Sequence, residues 1–224
     1  MALDHRLLFQ KVKTAIQERG ILAVARQVLG RLQTADDGFD SGRGTDTGGI
    51  IELWRLNIDG ENKKYGFHYQ PTLEAELRDA ISFAVCERRD FVFVDLGCGK
   101  GKTLLIAADM GFVRIIGADF AEKLVEIARK NLKSRGVSNA TVIKTDVARF
   151  EFPTGPLLVY MYNPFGAEVM RSVLANLVQH EDELFVVYNQ PKCAAELDSC
   201  LFLERVGSVP GRPNMVVWKR VKSR

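Results

Sequence analysis

Apolar residues are spaced in two different ways along this chain, and the change comes near residue 72. From there on, short continuous apolar runs alternate with stripes at helical spacing. The runs predict strands at 91–96, 113–118, 141–144, 157–162, 184–188, 203–209 and 214–219, with helices between the first six. One helical stripe is Leu77, Ala80, Ile81, Ala84 and Val85, with Thr72 as the expected cap. Others are Leu124, Ile127, Ala128 and Leu132, and then Met170, Val173, Leu174, Leu177 and Val178. Parallel neighbours cannot be joined by a tight turn, so this order implies a mostly parallel sheet with crossover helices on both sides. The last two strands are separated only by "PGRPN" and should form an antiparallel hairpin. The expected fold is α/β, a doubly wound seven-stranded sheet with that hairpin at its far half.

The first 71 residues read as an extension of this core. Residues 1–35 carry two helical stripes, Leu8, Val12, Ala15 and Ile16, then Ile21, Ala25, Val28, Leu29 and Leu32. Their basic residues, among them Arg6, Lys11, Arg19 and Arg31, suit the solvated face of a docked helix; an anionic membrane surface or a targeting role is the alternative. Asp4 and Glu18 argue against a transit peptide. Residues 36–49, "DDGFDSGRGTDTGG", sustain neither helix nor strand and read as a linker or mobile loop. Alternation over Ile51, Leu53 and Arg55 with an Asp59-Gly60 turn suggests a hairpin. The division is thus 1–71, a lid or substrate platform, and 72–224, the core domain.

Composition narrows the function classes. The chain has 224 residues, 46% hydrophobic and 26% charged, which suits one globular domain with appendages. No apolar window approaches the roughly 18 residues of a membrane span, and a secretory signal is not evident, so a cytoplasmic setting is expected. Four cysteines without a Cys-x-x-Cys pair and three scattered histidines suggest neither a zinc site nor a disulfide framework. A formal charge of +3 permits an acidic partner without signalling nucleic acid.

The chemistry concentrates in "FVFVDLGCGKGKT", residues 91–103. A phosphate loop of the Gly-x-x-x-x-Gly-Lys-Thr kind would need its first glycine where Leu96 stands. A Gly-x-Gly-x-x-Gly dinucleotide turn would need its third where Lys102 stands. What fits is Asp95 followed by Gly97, Gly99 and Gly101, the D-x-G-x-G-x-G pattern. This resembles the first motif of class I, Rossmann-like methyltransferases that use S-adenosylmethionine (SAM). A sulfonium cofactor has an ammonium and a carboxylate but no pyrophosphate, so it calls for close backbone approach without a phosphate cradle. Asp95 is placed to accept from the ammonium; a helix cap is its alternative role.

The resemblance covers roughly residues 72–219 and implies further roles. Asp119, ending the second strand about twenty residues past Gly97, would hold the ribose hydroxyls, an assignment NAD enzymes share. Phe120 would pack on the adenine. Asp146 would contact the adenine amine with Val147 as an apolar wall, or else simply form a turn. Asn163-Pro164-Phe165 after the fourth strand matches the acceptor-side motif of N-methyltransferases, with Asn163 and the Pro164 carbonyl accepting from the substrate nitrogen and Phe165 packing on it. A structural turn, with Asn163 as cap and Pro164 opening a helix, is the other reading. "YGFHYQPT", residues 65–72, is similar to a segment of non-SET protein-lysine methyltransferases and puts Tyr69 and Thr72 at the pocket wall. A lysine, near pKa ~10.4 when free, must lose its proton to attack, and an aromatic pocket of Tyr65, Tyr69, Tyr162 and Phe165 would assist. The expectation is therefore an SAM-dependent N-methyltransferase for a protein lysine or small amine. The rivals are a non-catalytic SAM-binding protein and a nucleotide-binding protein using Lys100, Lys102 and Thr103. Cys98, with no histidine near it in sequence, reads as packing.

Overall fold

A computed structural model describes residues 37–49, 51 and 69–221 of the chain. The expected N-terminal helices at 1–35, the Asp59-Gly60 turn and Tyr65 lie outside the described residues. Apart from Asp37, the described residues belong to one compact unit, Gly38–Arg224.

Seven strands form one sheet: β1 (Val92–Leu96), β2 (Arg114–Asp119), β3 (Ala140–Lys144), β4 (Leu157–Tyr162), β5 (Leu184–Asn189), β6 (Leu203–Val209) and β7 (Arg212–Arg220). Their order is β3-β2-β1-β4-β5-β7-β6, and only β7, between β5 and β6, runs antiparallel to its neighbours. Among the described residues, five helices accompany them: α1 (Glu74–Ala84), α2 (Lys102–Asp109), α3 (Glu122–Ser134), α4 (Ala167–Leu177) and α5 (Ala194–Asp198). None of the described helices is long and apolar enough to cross a membrane.

The alternation of each strand divides the core. Phe93, Ile115, Leu158, Tyr160 and Val217 join the buried residues of α1, α2 and α3. Val94, Ile116, Val159, Val186 and Trp218 join those of α4 and α5. Successive side chains of a strand point to opposite faces, so the two clusters lie on the two sides of the sheet. Every residue of β1 is buried, which explains why its run is continuous rather than alternating. The chain leaves β1 in the centre of the sheet, where β2 turns off to one side and β4 to the other. The carboxyl ends of β1 and β4 therefore meet at the point where the strand order reverses.

Three details differ from the sequence expectation. The β3 to β4 connection holds a short 3-10 turn, Val147–Arg149, where a helix was expected. Pro153, Gly155 and Pro156 deny the segment helical length, and Asn176 of α4 donates to the Ala148 carbonyl at 3.0 Å, fixing the turn. Thr72 is not a cap: the residue before α1 is Leu73, and the Thr72 hydroxyl instead shares a 2.6 Å hydrogen bond with the Tyr160 hydroxyl. Residues 38–49 are no free linker, since turns give them a definite shape and they bond to the glycine turn described next.

Candidate active site

The turn after β1 is built so that only glycine fits. Gly97, Gly99 and Gly101 have φ of +93°, +53° and +80°, a region other residues enter at a cost. Neighbours make the same demand. A Cβ on Gly97 would lie 2.7 Å from Pro164 Cβ, one on Gly99 would lie 2.1 Å from the Tyr69 ring, and one on Gly101 would lie 3.0 Å from Ala128 Cβ. The amides of Gly97 and Cys98 donate to the Ala118 carbonyl, at 2.8 and 3.1 Å, so the turn is hung from the end of β2. Cys98 is buried against Gly117 of β2, and burial raises its thiol well above the ordinary value, as a packing residue requires.

Two carboxylates converge here. Asp95 is 2% exposed and Asp119 4%. Asp95 accepts from the Thr103 hydroxyl of α2. Burial pushes Asp95 up to about 7 against the opposing Thr103 bond, with the charge of Asp119 adding to the rise. Asp119 accepts from the Gly99 amide through one oxygen and from the Ala121 amide through the other, both at 2.9 Å. Burial still pushes it up to about 6. Phe120 and Tyr69 pack with Ala121 and Leu124 beside the turn. Tyr69 also forms an antiparallel bridge with Ile51, two residues at the ends of the expected hairpin.

The end of β4 faces the same turn. Asn163 leaves the strand with φ +39°, a left-handed conformation that asparagine tolerates better than most residues. Pro164 then lies against Gly97. Helix α4 begins later, after Gly166, and no side chain caps it, so Asn163 is not its cap. The Tyr188 hydroxyl of β5 donates to Asn163 Oδ1 at 3.4 Å while accepting from the Cys193 amide at 3.4 Å. Phe165 is buried in the α4-side core, and its carbonyl accepts from the Cys193 thiol at 3.8 Å. Asp146 accepts from the Ala148 amide at 3.0 Å and caps the 3-10 turn, and Val147 packs into the α4-side core.

Sequence reading overlooked the neighbouring strand end. Asn189 donates to the Tyr160 hydroxyl at 3.4 Å, linking it to Thr72, and Gln190, with φ +50°, donates to the Tyr162 hydroxyl at 3.1 Å. The signal was present: "YNPF" ends β4 and "YNQP" ends β5, and the strands pair with Tyr162 opposite Asn189. Two adjacent parallel strands thus close on the same kind of turn, each through one left-handed residue.

The residues of the phosphate-binding alternative are engaged otherwise. The Lys100 amine donates to Asp46 at 2.6 Å and to the Gly48 carbonyl at 2.8 Å, Lys102 lies 5.0 Å from the Phe39 ring centre, and Thr103 donates to Asp95. Among the described residues, the glycine turn presents two buried acids whose oxygens accept, an acceptor set suited to an ammonium and hydroxyls rather than a phosphate chain.

A sheet of this strand order, with an acid-preceded triple-glycine turn after its first strand and an acid ending its second, defines the class I, Rossmann-like methyltransferase fold. The chain has that fold, and its residues 93–180 match the family described as a methyltransferase domain. A ribosomal protein L11 methyltransferase of Caldanaerobacter subterraneus subsp. tengcongensis is 34% identical over 58 residues, 26% of this chain and 19% of that protein. A protein-lysine N-methyltransferase of Saccharolobus islandicus is 31% identical over 78 residues, 34% of this chain and 48% of the relative. The matches thus span less than half the length of these curated relatives. In fold, the chain is similar to an RNA methyltransferase of Salinibacter ruber solved with S-adenosyl-L-homocysteine, at 21% identity and a TM-score of 0.50, over 69% of this chain and 95% of that one.

Proposed function

We propose that this chain transfers a methyl group from SAM to a nitrogen of an amine or amide, with a protein lysine as the leading acceptor. The observation that carries the reading is the contact of the two turns: Gly97 of the acid-flanked turn lies directly against Pro164 of the Asn-Pro turn. A donor site and an acceptor site that share a wall are what an in-line displacement requires.

The residues present fit the cofactor. Asp95 would accept from its ammonium and Asp119 from its ribose hydroxyls, and the glycine backbone would let both approach. Phe120 would pack on the adenine, with Val147 and Asp146 lining the same side. SAM supplies an electrophilic methyl on a sulfonium. The chain orients the attacking nitrogen through Asn163 Oδ1 and the Pro164 carbonyl, and Tyr188 fixes the Asn163 amide. Tyr69 and Tyr162, half-buried in this region, make an apolar surround that favours the neutral lysine. Burial pushes the Tyr162 phenol up to about 12, so it stays protonated at neutral pH. Phe165, buried in the core, supports the turn from below. The two curated relatives act on proteins by name, which favours a protein acceptor over a small amine. Four free thiols accord with a cytoplasmic setting.

The test is incubation of the chain with methyl-labelled SAM and fractionated cell protein, followed by hydrolysis and amino-acid analysis. Methyl-lysine that disappears with Asn163→Ala is the expected result. Saturable SAM binding with no label in any protein, RNA or small-amine fraction would instead mark a binding protein that never turns over.

A further inference from the structure

Outside the two turns, the most heavily bonded polar cluster ties residues 46–48 to the glycine turn. Lys100, the central residue of Gly99-Lys100-Gly101, keeps its side chain only 8% exposed. A buried ammonium is costly unless paired, and it donates to two atoms of one segment, Asp46 Oδ1 and the Gly48 carbonyl, while lying 5.9 Å from the Tyr69 ring centre. Asn131 is the second tie. It sits on the apolar stripe of α3 yet is 4% exposed, a position where a polar side chain needs a reason. Its Nδ2 donates at 2.9 Å to both the Asp46 and the Lys100 carbonyls, and its Oδ1 accepts from the Asp46 amide at 2.9 Å. One amide thus joins strap and turn. Tyr69 is the third, donating to the Thr47 carbonyl at 2.6 Å while its ring lies against Gly99.

The strap is braced from within. Asp40 accepts from the amides of Thr47 and Gly48, at 2.8 and 2.9 Å, and from the hydroxyls of Thr45 and Thr47, at 2.6 and 2.9 Å. Phe39 anchors its start in the core. It is therefore a shaped element with its own stiffness, not a tether.

We propose that Lys100 and Asn131 are positioning residues for the cofactor: they lock the 46–48 strap to the glycine turn and thereby hold the turn, and the Tyr69 ring upon it, in the binding geometry. The inference rests on the reading of this turn as the SAM site. A turn with three left-handed glycines has many other conformations open to it, and fixing its central residue at the amine and the carbonyl removes them before the cofactor arrives. The lock acts on binding and leaves the transfer step alone.

The experiment compares wild type with Lys100→Met, Lys100→Arg, Asp46→Asn and Asn131→Leu. It reads S-adenosylhomocysteine affinity by calorimetry, hydrogen exchange of the Gly99–Gly101 amides, and melting temperature. Loss of a charged buried hydrogen bond predicts about tenfold weaker binding for Lys100→Met. Partial recovery is expected in Lys100→Arg, with faster exchange at the turn in the Met variant at a near-unchanged melting temperature. Asp46→Asn keeps the backbone bonds and removes only the charge, so it gives a smaller loss of the same kind and serves if Asn131→Leu does not fold. Wild-type binding with unchanged affinity and exchange in Lys100→Met and Asp46→Asn overturns the inference alone. Failure of the wild type to bind overturns the reading of the site itself.

Discussion

At the scale of single residues, the two buried acids make the site sensitive to pH. Both have folded values, about 7 for Asp95 and about 6 for Asp119, above the roughly 4 of an unfolded aspartate. The folded chain therefore holds more protons than the unfolded one between those values. The stability these groups confer is present at low pH and is lost as pH rises through about 6 and then about 7. Cofactor binding runs the opposite way, because an ammonium and ribose hydroxyls call for carboxylates. S-adenosylhomocysteine affinity should rise from pH 6 to pH 8 with release of protons, visible as a buffer-dependent enthalpy in calorimetry; a flat profile with no proton release would show that Asp95 is already ionised. Tyr188 is the second test at this scale. Its oxygen accepts from the Cys193 amide, so its proton is left for Asn163. Tyr188→Phe should lower kcat several-fold, as the loss of about 1 kcal/mol of orientation implies, with cofactor affinity unchanged. The placement of Asp95 and Asp119 beside the glycine turn was legible because each ends a run that reads as a strand. Lys100 and Asn131 were not, because their partners lie more than thirty residues away in a segment whose composition says only turn.

Among the elements, the glycine turn separates two costs that substitution usually mixes. Gly111 has φ +85° with nothing within 4 Å of a Cβ, so Gly111→Ala meets only backbone strain, about 1–2 kcal/mol. Gly99→Ala meets the same strain and also the Tyr69 ring, at 2.1 Å, where no rotamer of the new methyl offers relief. Gly111→Ala should lower the melting temperature and leave cofactor affinity intact. Gly99→Ala should abolish binding, either by displacing Tyr69 or by deforming the turn; retained affinity would show that the turn and Tyr69 separate in the bound state. Strands β1 and β4 were readable because nearly every residue of each is buried, so each carries an almost unbroken apolar run. The β3 to β4 link was misread as helical since the rule of crossover helices is strong, whereas Asp146, Pro153, Gly155 and Pro156 locally forbid one. The turn of "YNQP" escaped notice because its meaning depends on β5 lying next to β4, which no spacing within the sequence reveals.

For the whole molecule, the strap decides how much chain the cofactor site needs. A chain beginning at residue 72 would lack Asp46, Thr47 and Tyr69, leaving the Lys100 amine and the Asn131 amide without the partners that make their burial tolerable. One beginning at Gly38 keeps every one of these bonds and coincides with a compact unit of the fold. If residues 1–37 serve the acceptor rather than the cofactor, the two truncations will separate the two functions. The 38–224 chain should match the full chain in S-adenosylhomocysteine affinity and lose methyl transfer to protein, while the 72–224 chain should lose affinity at least about tenfold. Thermal melts give the same comparison independently. Ligand at about 100 times its Kd adds about 2.7 kcal/mol, a rise of roughly 5–10 °C for a chain of this size. The full and 38–224 chains should show that rise and the 72–224 chain should not. A full ligand-induced rise in the 72–224 chain would mean that the glycine turn holds its shape without the strap, and that the bonds of Lys100 and Asn131 serve the fold alone.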